Sequence, residues 1–156
     1  MKKRLTPEEA KNRILRYCTY QERSHKEVKN KLYDFGLYSS EVNELLSFLI
    51  TERFLNEERY AKTFTGGKFR LKKWGRLKIV RELERHDLTT NCIRIGLKEI
   101  DDQDYLNTLK EIIRKRSVSM QEENPFIKRN KVARYAIQKG YEPDLVWREI
   151  KSTMPD

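Results

Sequence analysis

The segment TGGKFRLKKWG, residues 65–75, contains a Gly-Lys pair of the kind found in phosphate-binding loops. A nucleotide-hydrolase loop of the type GxxxxGK[ST] requires a first glycine for its tight turn, and a Ser or Thr after the lysine to bind Mg²⁺. Here Lys62 occupies the position of the first glycine, and Phe69 follows Lys68. The flanking sequence on both sides has helical periodicity. The segment is therefore not predicted to bind and hydrolyse a nucleotide.

No other set of residues in the sequence predicts catalysis or metal binding. His25 and His86 are the two histidines, and neither has a Cys, Asp or Glu at a spacing typical of metal ligands, so we expect both at the surface. No nucleophile with an accompanying base is evident, because Ser24 and Ser39 are explained as helix caps. The sequence predicts a non-enzymatic protein with no metal ion and no cofactor.

The strongest chemical signal is positive charge. The formal net charge is +10, and residues 68–85 contain eight bases and two acids, which gives +6 for that segment alone. Such an excess indicates a polyanionic partner, because Lys and Arg side chains bind phosphates by displacing counterions. The alternative is a solvated helix face. The candidate binding residues in this segment are Lys68, Arg70, Lys72, Lys73, Arg76, Lys78 and Arg81.

A second basic cluster lies near the C-terminus. Residues 124–141 contain no acid, and their candidate binding residues are Lys128, Arg129, Lys131 and Arg134. Phe69, Trp74 and Tyr135 lie among the bases of the two clusters. These rings either stack on nucleobases or pack between helices, and packing is the favoured interpretation.

The elements that carry these clusters are predicted to be helices throughout. Thr6-Pro7 and Ser24, each with a glutamate three residues after the cap, are typical helix starts. Ser39 or Ser40, Asn56, Thr89 or Thr90, and Asp101 or Asp102 are predicted to begin later helices. Gly75, Asn124-Pro125 and Pro143 complete the set of predicted starts. The pair Gly66-Gly67 falls inside the fourth predicted helix, where we expect a kink, a frayed end or a hinge.

The helical pattern repeats along the chain. A shift that carries Ala10 onto Ala61 also carries Leu32 onto Leu83, and a longer shift carries Gly36 onto Gly140. Matching apolar faces and breakers predict three tandem three-helix repeats, at residues 7–53, 56–101 and 102–153. In this arrangement the two basic clusters occupy equivalent helices of the second and third repeats.

Composition sets further limits. The hydrophobic fraction is 37%, which favours an elongated array over a thick-cored enzyme. Cys18 and Cys92 are far apart and predict reduced packing residues rather than a disulfide or zinc site. No apolar run is long enough to span a bilayer, so we expect a cytoplasmic protein without a membrane partner.

Three motifs resemble those of a known family. They are RSHKEVKNKLYDFGL (23–37), FLNEERYAKTF (54–64) and KWGRLKIVREL (73–83). In their order and spacing they resemble the RecX regulators of the RecA recombinase over about residues 10–150. The sequence departs from the family pattern at Glu57-Glu58, where Asp-Asp is frequent, and at Asp87, where a glycine commonly ends the helix.

The resemblance implies an elongated, curved, all-α array of three three-helix repeats. It also implies a non-catalytic modulator, mainly an inhibitor, of RecA. Such a protein binds the RecA nucleoprotein filament and limits its growth, strand exchange and ATP hydrolysis, and some members also bind single- or double-stranded DNA directly. We expect a monomer. A stand-alone DNA- or RNA-binding architectural protein is the alternative, because composition alone supports it equally.

The most specific of the three motifs has two interpretations. It either contacts the filament or forms the junction between the first and second repeats, where a cap, an ion pair and a core aromatic are expected. The residues of this motif are Glu57, Glu58, Arg59 and Tyr60. Gly75, in the third motif, is assigned to the same group of family-motif and junction residues.

Overall fold

The structure is a computed structural model that describes residues 4–154, and within that range the chain forms nine helices and no strand. The all-α prediction is confirmed. The helices are α1 (Pro7–Tyr20), α2 (His25–Asp34), α3 (Ser39–Thr51), α4 (Glu57–Lys72), α5 (Arg76–Arg85), α6 (Thr90–Leu97), α7 (Asp102–Ser119), α8 (Pro125–Gln138) and α9 (Pro143–Thr153).

Most helices begin at the positions that were predicted from capping residues in the sequence. Ser24 Oγ accepts the N–H of Glu27 at 3.1 Å, and the Glu27 carboxylate accepts the N–H of Ser24 at 3.0 Å. Asn56 Oδ1 accepts the N–H of Arg59 at 2.9 Å. These bonds satisfy backbone donors that have no partner within the first turn of a helix. The same arrangement caps the helices that follow Thr6, Asp101 and Asn124.

The predicted cap of α3 is wrong. Ser39 is already helical, and Tyr38 is the N-cap residue, with extended backbone. The Glu41 carboxylate accepts the Tyr38 N–H at 2.9 Å, which is the bond that the third residue of a helix supplies in a capping box. This carboxylate also pairs with Arg4. Both contacts lower the pKa of Glu41, the backbone bond more than the arginine.

The glycine pair does not fray its helix. Helix α4 continues through Gly66 and Gly67 to Lys72, so the predicted frayed end there is wrong. Thr65 and Phe69 are buried on either side of the pair and hold the backbone in place. The helix instead ends at Lys72, and the next residue, Lys73, adopts a left-handed φ of 60°.

A left-handed residue ends the second helix of each predicted repeat. Gly36 and Gly140 have φ values of 85° and 105°, and Asp87 has a φ of 61° at the corresponding position. Glycine adopts this conformation without strain, whereas Asp does so less readily. The substitution of Asp for the usual glycine therefore leaves the turn in the same conformation.

The described chain divides into two compact units. Unit 1 comprises the described residues up to Phe64 together with Leu83–Gly96. In it, α1, α2 and α3 pack against one another around a core of buried aliphatic side chains that includes Ile14, Leu32 and Leu49. Burial raises the pKa of the Cys18 thiol to about 11, so this cysteine remains a protonated packing residue at neutral pH, as expected.

Unit 2 comprises Thr65–Glu82 and the described residues from Leu97 onward. Here α7, α8 and α9 pack together, and Tyr105, Leu109 and Ile113 form the buried face of α7. Leu106 and Ile112, which neighbour this face, are only partly buried. The true face follows an i, i+4, i+8 spacing that begins at a tyrosine.

Candidate nucleic-acid interface

The turn between α4 and α5 is fastened to the end of α8 by backbone hydrogen bonds within unit 2. The Gly75 N–H donates to the Lys139 carbonyl at 2.8 Å, and the Leu77 N–H donates to the Gly140 carbonyl at 2.9 Å. These donors belong to the first turn of α5 and have no partner within their own helix. The contact satisfies both and fixes the direction in which α5 begins.

This contact requires glycine at position 75. A Cβ atom there would lie 2.2 Å from the Gly140 carbonyl carbon and 2.3 Å from the Tyr141 nitrogen. A Cβ at Gly140 would in turn lie 2.4 Å from Cβ of Lys78. The two backbones approach each other at two positions that have no side chain. Gly75 therefore has a packing role that its sequence neighbours do not reveal.

Side chains from the end of α8 also hold the basic turn. The Lys139 ammonium donates to the Lys72 carbonyl at 3.1 Å, and the Tyr141 hydroxyl donates to the Lys73 carbonyl at 2.9 Å. The carbonyls belong to Lys72, the last residue of α4, and to Lys73 directly after it, where a helix leaves acceptors without internal partners. The contact brings the basic turn and the C-terminal end of the second basic cluster together in unit 2.

Arg76 belongs to an internal polar network. Its guanidinium lies 2.7 Å from Asp102 Oδ1 and 3.1 Å from Glu142 Oε2, and it covers the Tyr105 ring with 3.8 Å to the centroid. The Arg76 N–H donates to the Tyr105 hydroxyl at 3.0 Å, and that hydroxyl donates to Glu142. Burial, followed by the bond to Glu142, raises the pKa of Tyr105.

The network changes how Arg76 is interpreted. The sequence grouped it with the candidate binding residues, yet two carboxylates neutralise its charge within unit 2. Tyr105 and Glu142, which complete the network, were not singled out from the sequence. Neither residue carries a local signal, because the three parts of the network come from α5, α7 and the cap of α9.

The aromatic residues among the bases have different environments. Phe69 is buried and its ring centroid lies 5.9 Å from that of Tyr105, so the packing interpretation is confirmed for Phe69. The Trp74 ring lies beneath two ammonium groups, Lys68 Nζ at 4.9 Å and Lys78 Nζ at 4.4 Å from its centroid. Cations over an aromatic face are attracted to it, so Trp74 positions these two lysines at the surface.

The remaining candidate bases differ in exposure. Lys128 and Arg129 are partly buried on α8, and Lys131 lies 3.3 Å from the Glu122 carboxylate. The exposed members of the set are Arg70, Lys72, Lys73, Arg81, Lys131 and Arg134. All of them belong to unit 2.

The motif around Arg59 lies in unit 1. Arg59 Nε is 2.5 Å from Glu22 Oε1, and its Nη2 donates to the Arg53 carbonyl at 3.1 Å. Glu57 Oε1 lies 3.0 Å from His25 Nδ1. Tyr60 is buried, whereas Glu58 is exposed. The motif therefore connects the start of α4 with the end of α3 and the α1–α2 loop.

Replacement of Arg59 is expected to lower stability more than nucleic-acid binding. Arg59→Ala removes an ion pair and a bond to a backbone carbonyl, but the pair is partly solvated, so the expected loss is about 1 kcal/mol in the free energy of unfolding. Urea unfolding followed by circular dichroism measures it. Lys62→Ala, an exposed change of the same charge on the same helix, is the control. Equal stability of the two variants would contradict the structural role.

The structure brings together one serine–histidine pair that the sequence did not predict. Ser24 Oγ lies 3.1 Å from His86 Nδ1, and both belong to unit 1. Ser24 has no exposed surface and already caps α2, so its hydroxyl is not accessible to a substrate. The two histidines, expected at the surface, are each partly buried: His25 Nδ1 lies 3.0 Å from the Glu57 carboxylate, and His86 Nδ1 contacts Ser24. The pair is structural.

The described residues contain neither a metal-binding cluster nor a membrane-spanning helix. Residues 4–154 contain no group of three or more His, Cys, Asp or Glu side chains placed to hold a metal ion. Within the same range, every helix is too short or too polar to cross a membrane.

Family models match the three predicted repeats one by one. The models are described as the RecX first, second and third three-helix domains, and they match residues 10–49, 56–97 and 102–150. Together these ranges cover most of the chain, and the predicted order of three tandem three-helix domains is confirmed.

Similar proteins and structures agree with the family models. Regulatory protein RecX of Clostridium perfringens strain 13 is 28% identical over 136 residues, 86% of this chain and 63% of that protein. Regulatory protein RecX of Clostridium tetani is 25% identical over 146 residues, 92% of this chain and 65% of that protein. The chain thus spans less than two thirds of these relatives. A crystal structure of RecX from Lactobacillus salivarius superposes with a TM-score of 0.84 at 21% identity, covering 94% of this chain and 96% of that one.

Proposed function

The chain belongs to the RecX family, and on that premise we propose that it is a non-catalytic regulator of the RecA recombinase. In this proposal it binds the RecA–DNA filament and limits filament growth, strand exchange and ATP hydrolysis. It acts as a monomer in the cytoplasm, needs no cofactor, and contacts DNA through its basic helices.

One structural observation supports a nucleic-acid contact in particular. The basic turn between α4 and α5 is fastened to α8, the second basic helix, by Gly75 and the side chains of Lys139 and Tyr141. Lys and Arg side chains whose backbone is fixed by packing lose less conformational freedom when they bind phosphates. Two separate solvated helix faces would not need this connection, so the arrangement favours a shared binding surface in unit 2.

The proposed function is tested by titrating the DNA-dependent ATPase of RecA with the chain. We expect inhibition at stoichiometries well below one chain per RecA monomer, because an agent that limits filament growth affects many subunits. The titration is repeated with free DNA in excess. Inhibition that persists supports action on the filament.

The same titration separates the alternative function. A stand-alone DNA- or RNA-binding architectural protein competes with RecA only for DNA, so excess DNA would abolish its inhibition. Absence of inhibition under both conditions would contradict the proposed regulation of RecA altogether.

A further inference from the structure

A second surface in unit 2 has the chemistry of a binding site. A groove of about 460 Å³ lies between α8 and α9. Its lining includes Phe126, Arg129, Asn130, Trp147, Lys151 and Met154. Of these residues, only Arg129 is among the candidate binding residues named above.

Two large aromatic side chains are open to solvent at this groove. Phe126 is 70% exposed and Trp147 is 42% exposed. Neighbouring exposed aromatic groups on a surface mark an interaction site more often than a single exposed Leu or Val does. The core of unit 2 is already filled by Val146 and Ile150, which flank Trp147 along α9 and are buried.

The position of Phe126 is fixed by the start of α8. Asn124 Oδ1 accepts the N–H groups of Phe126 and Ile127 at 3.0 and 3.2 Å. Asn130 Nδ2 donates to the Phe126 carbonyl at 2.8 Å. The backbone that carries the exposed ring is therefore ordered before any ligand arrives, which reduces the entropy lost on binding.

The charge of the groove selects the class of partner. Among the described residues that line it, the charged ones are Arg129 and Lys151, and both are basic. Arg129 and Asn130 lie between Lys128 and Lys131 in α8, so the groove is continuous with the basic helix. A chain of phosphates that follows α8 would therefore pass the aromatic rings.

We propose that the α8–α9 groove binds single-stranded nucleic acid, with bases stacked on Phe126 and Trp147 and phosphates bound by Arg129 and Lys151. Stacking on aromatic side chains tolerates every base, and it requires bases that are not paired. An acidic peptide would match the charge but would gain less from two exposed planar rings. The inference deepens the proposed function, since it rests on nucleic acid being one of the partners.

The test compares two single strands of equal charge. Fluorescence anisotropy measures binding of the full chain to an oligothymidylate of about 12 nucleotides and to an abasic strand of the same length. Phe126→Ala and Trp147→Leu are each expected to lower affinity for oligothymidylate about tenfold, because each removes one stacking partner. Affinity for the abasic strand should change little, which also reports that the variants are folded.

Two further variants sharpen the comparison. Trp147→Phe retains a stacking ring and should retain most of the affinity for oligothymidylate. Tyr20→Ala removes an aromatic side chain that is 82% exposed in unit 1 and should leave binding of both strands unchanged. An equal loss on both strands, no loss on either, or a loss with Tyr20→Ala as large as with Phe126→Ala would overturn the proposal.

These binding measurements contain no RecA. If the groove variants bind oligothymidylate normally, the groove proposal fails, but the chain could still inhibit the RecA ATPase. Conversely, a chain that fails to inhibit RecA could still discriminate between the two strands. Failure of the groove proposal and failure of the proposed function are therefore distinguishable.

Discussion

Gly75→Ala is expected to destabilise the chain by about 3 kcal/mol and to lower its melting temperature by about 10 °C. The added Cβ would lie 2.2 to 2.4 Å from three backbone atoms of Gly140 and Tyr141. Backbone atoms cannot rotate away as a flexible side chain can. The start of α5 must therefore retreat from α8, and the bonds from Gly75 and Leu77 to the end of α8 lengthen or break. Thermal and urea unfolding measure the loss.

Gly67→Ala is the matched control. Gly67 lies inside α4, and a Cβ there would meet nothing within 4 Å. Alanine favours the helix over glycine, so this variant is expected to gain about 0.5–1 kcal/mol. The same substitution therefore has opposite signs at two glycines of one short segment. A neutral Gly75→Ala variant would show that the backbones of α5 and α8 are less closely packed than in the structure.

The sequence predicts most of the fold because helix ends depend on local contacts. Ser24 and Asn56 each bond to a backbone N–H three residues ahead, so their pattern is visible without any tertiary information. The same holds for the helix-ending turn at Gly36. Asp87 illustrates a weaker signal, since its left-handed conformation is identified by its position in the repeat rather than by its residue type.

The candidate site is less predictable because its contacts join distant parts of the chain. Nothing near Gly75 in the sequence indicates that Gly140 is its partner. A charge count treats Arg76 and Arg81 alike, although Arg76 is paired with Asp102 and Glu142 while Arg81 is exposed. Local sequence gives the total charge of a segment, and only the packing of helices decides which of its bases are available to a partner.

Charge reversal of exposed bases in unit 2 is expected to have the largest effect on binding. The triple variant Lys72→Glu, Arg81→Glu and Arg134→Glu should lower affinity for short duplex DNA about a hundredfold at low salt, and it should reduce the slope of log K against log salt by about three. Each of these side chains is exposed, so the folded state should be retained. Arg76 is left unchanged, because a carboxylate there would face Asp102 and Glu142 and would disrupt unit 2 itself.

The control applies the same change in net charge to unit 1. Arg13→Glu, Arg16→Glu and Lys29→Glu replace three exposed bases there. If binding depends only on the total charge of the chain, the two triple variants lose affinity equally and their salt slopes change alike. Each phosphate contact releases its own condensed counterions and so adds to the slope of log K against log salt. If the Lys and Arg side chains of α4, α5 and α8 contact phosphates, only the unit 2 variant shows a reduced slope. Similar salt slopes for the two variants would therefore rule out the basic helices of unit 2 as the DNA-binding surface.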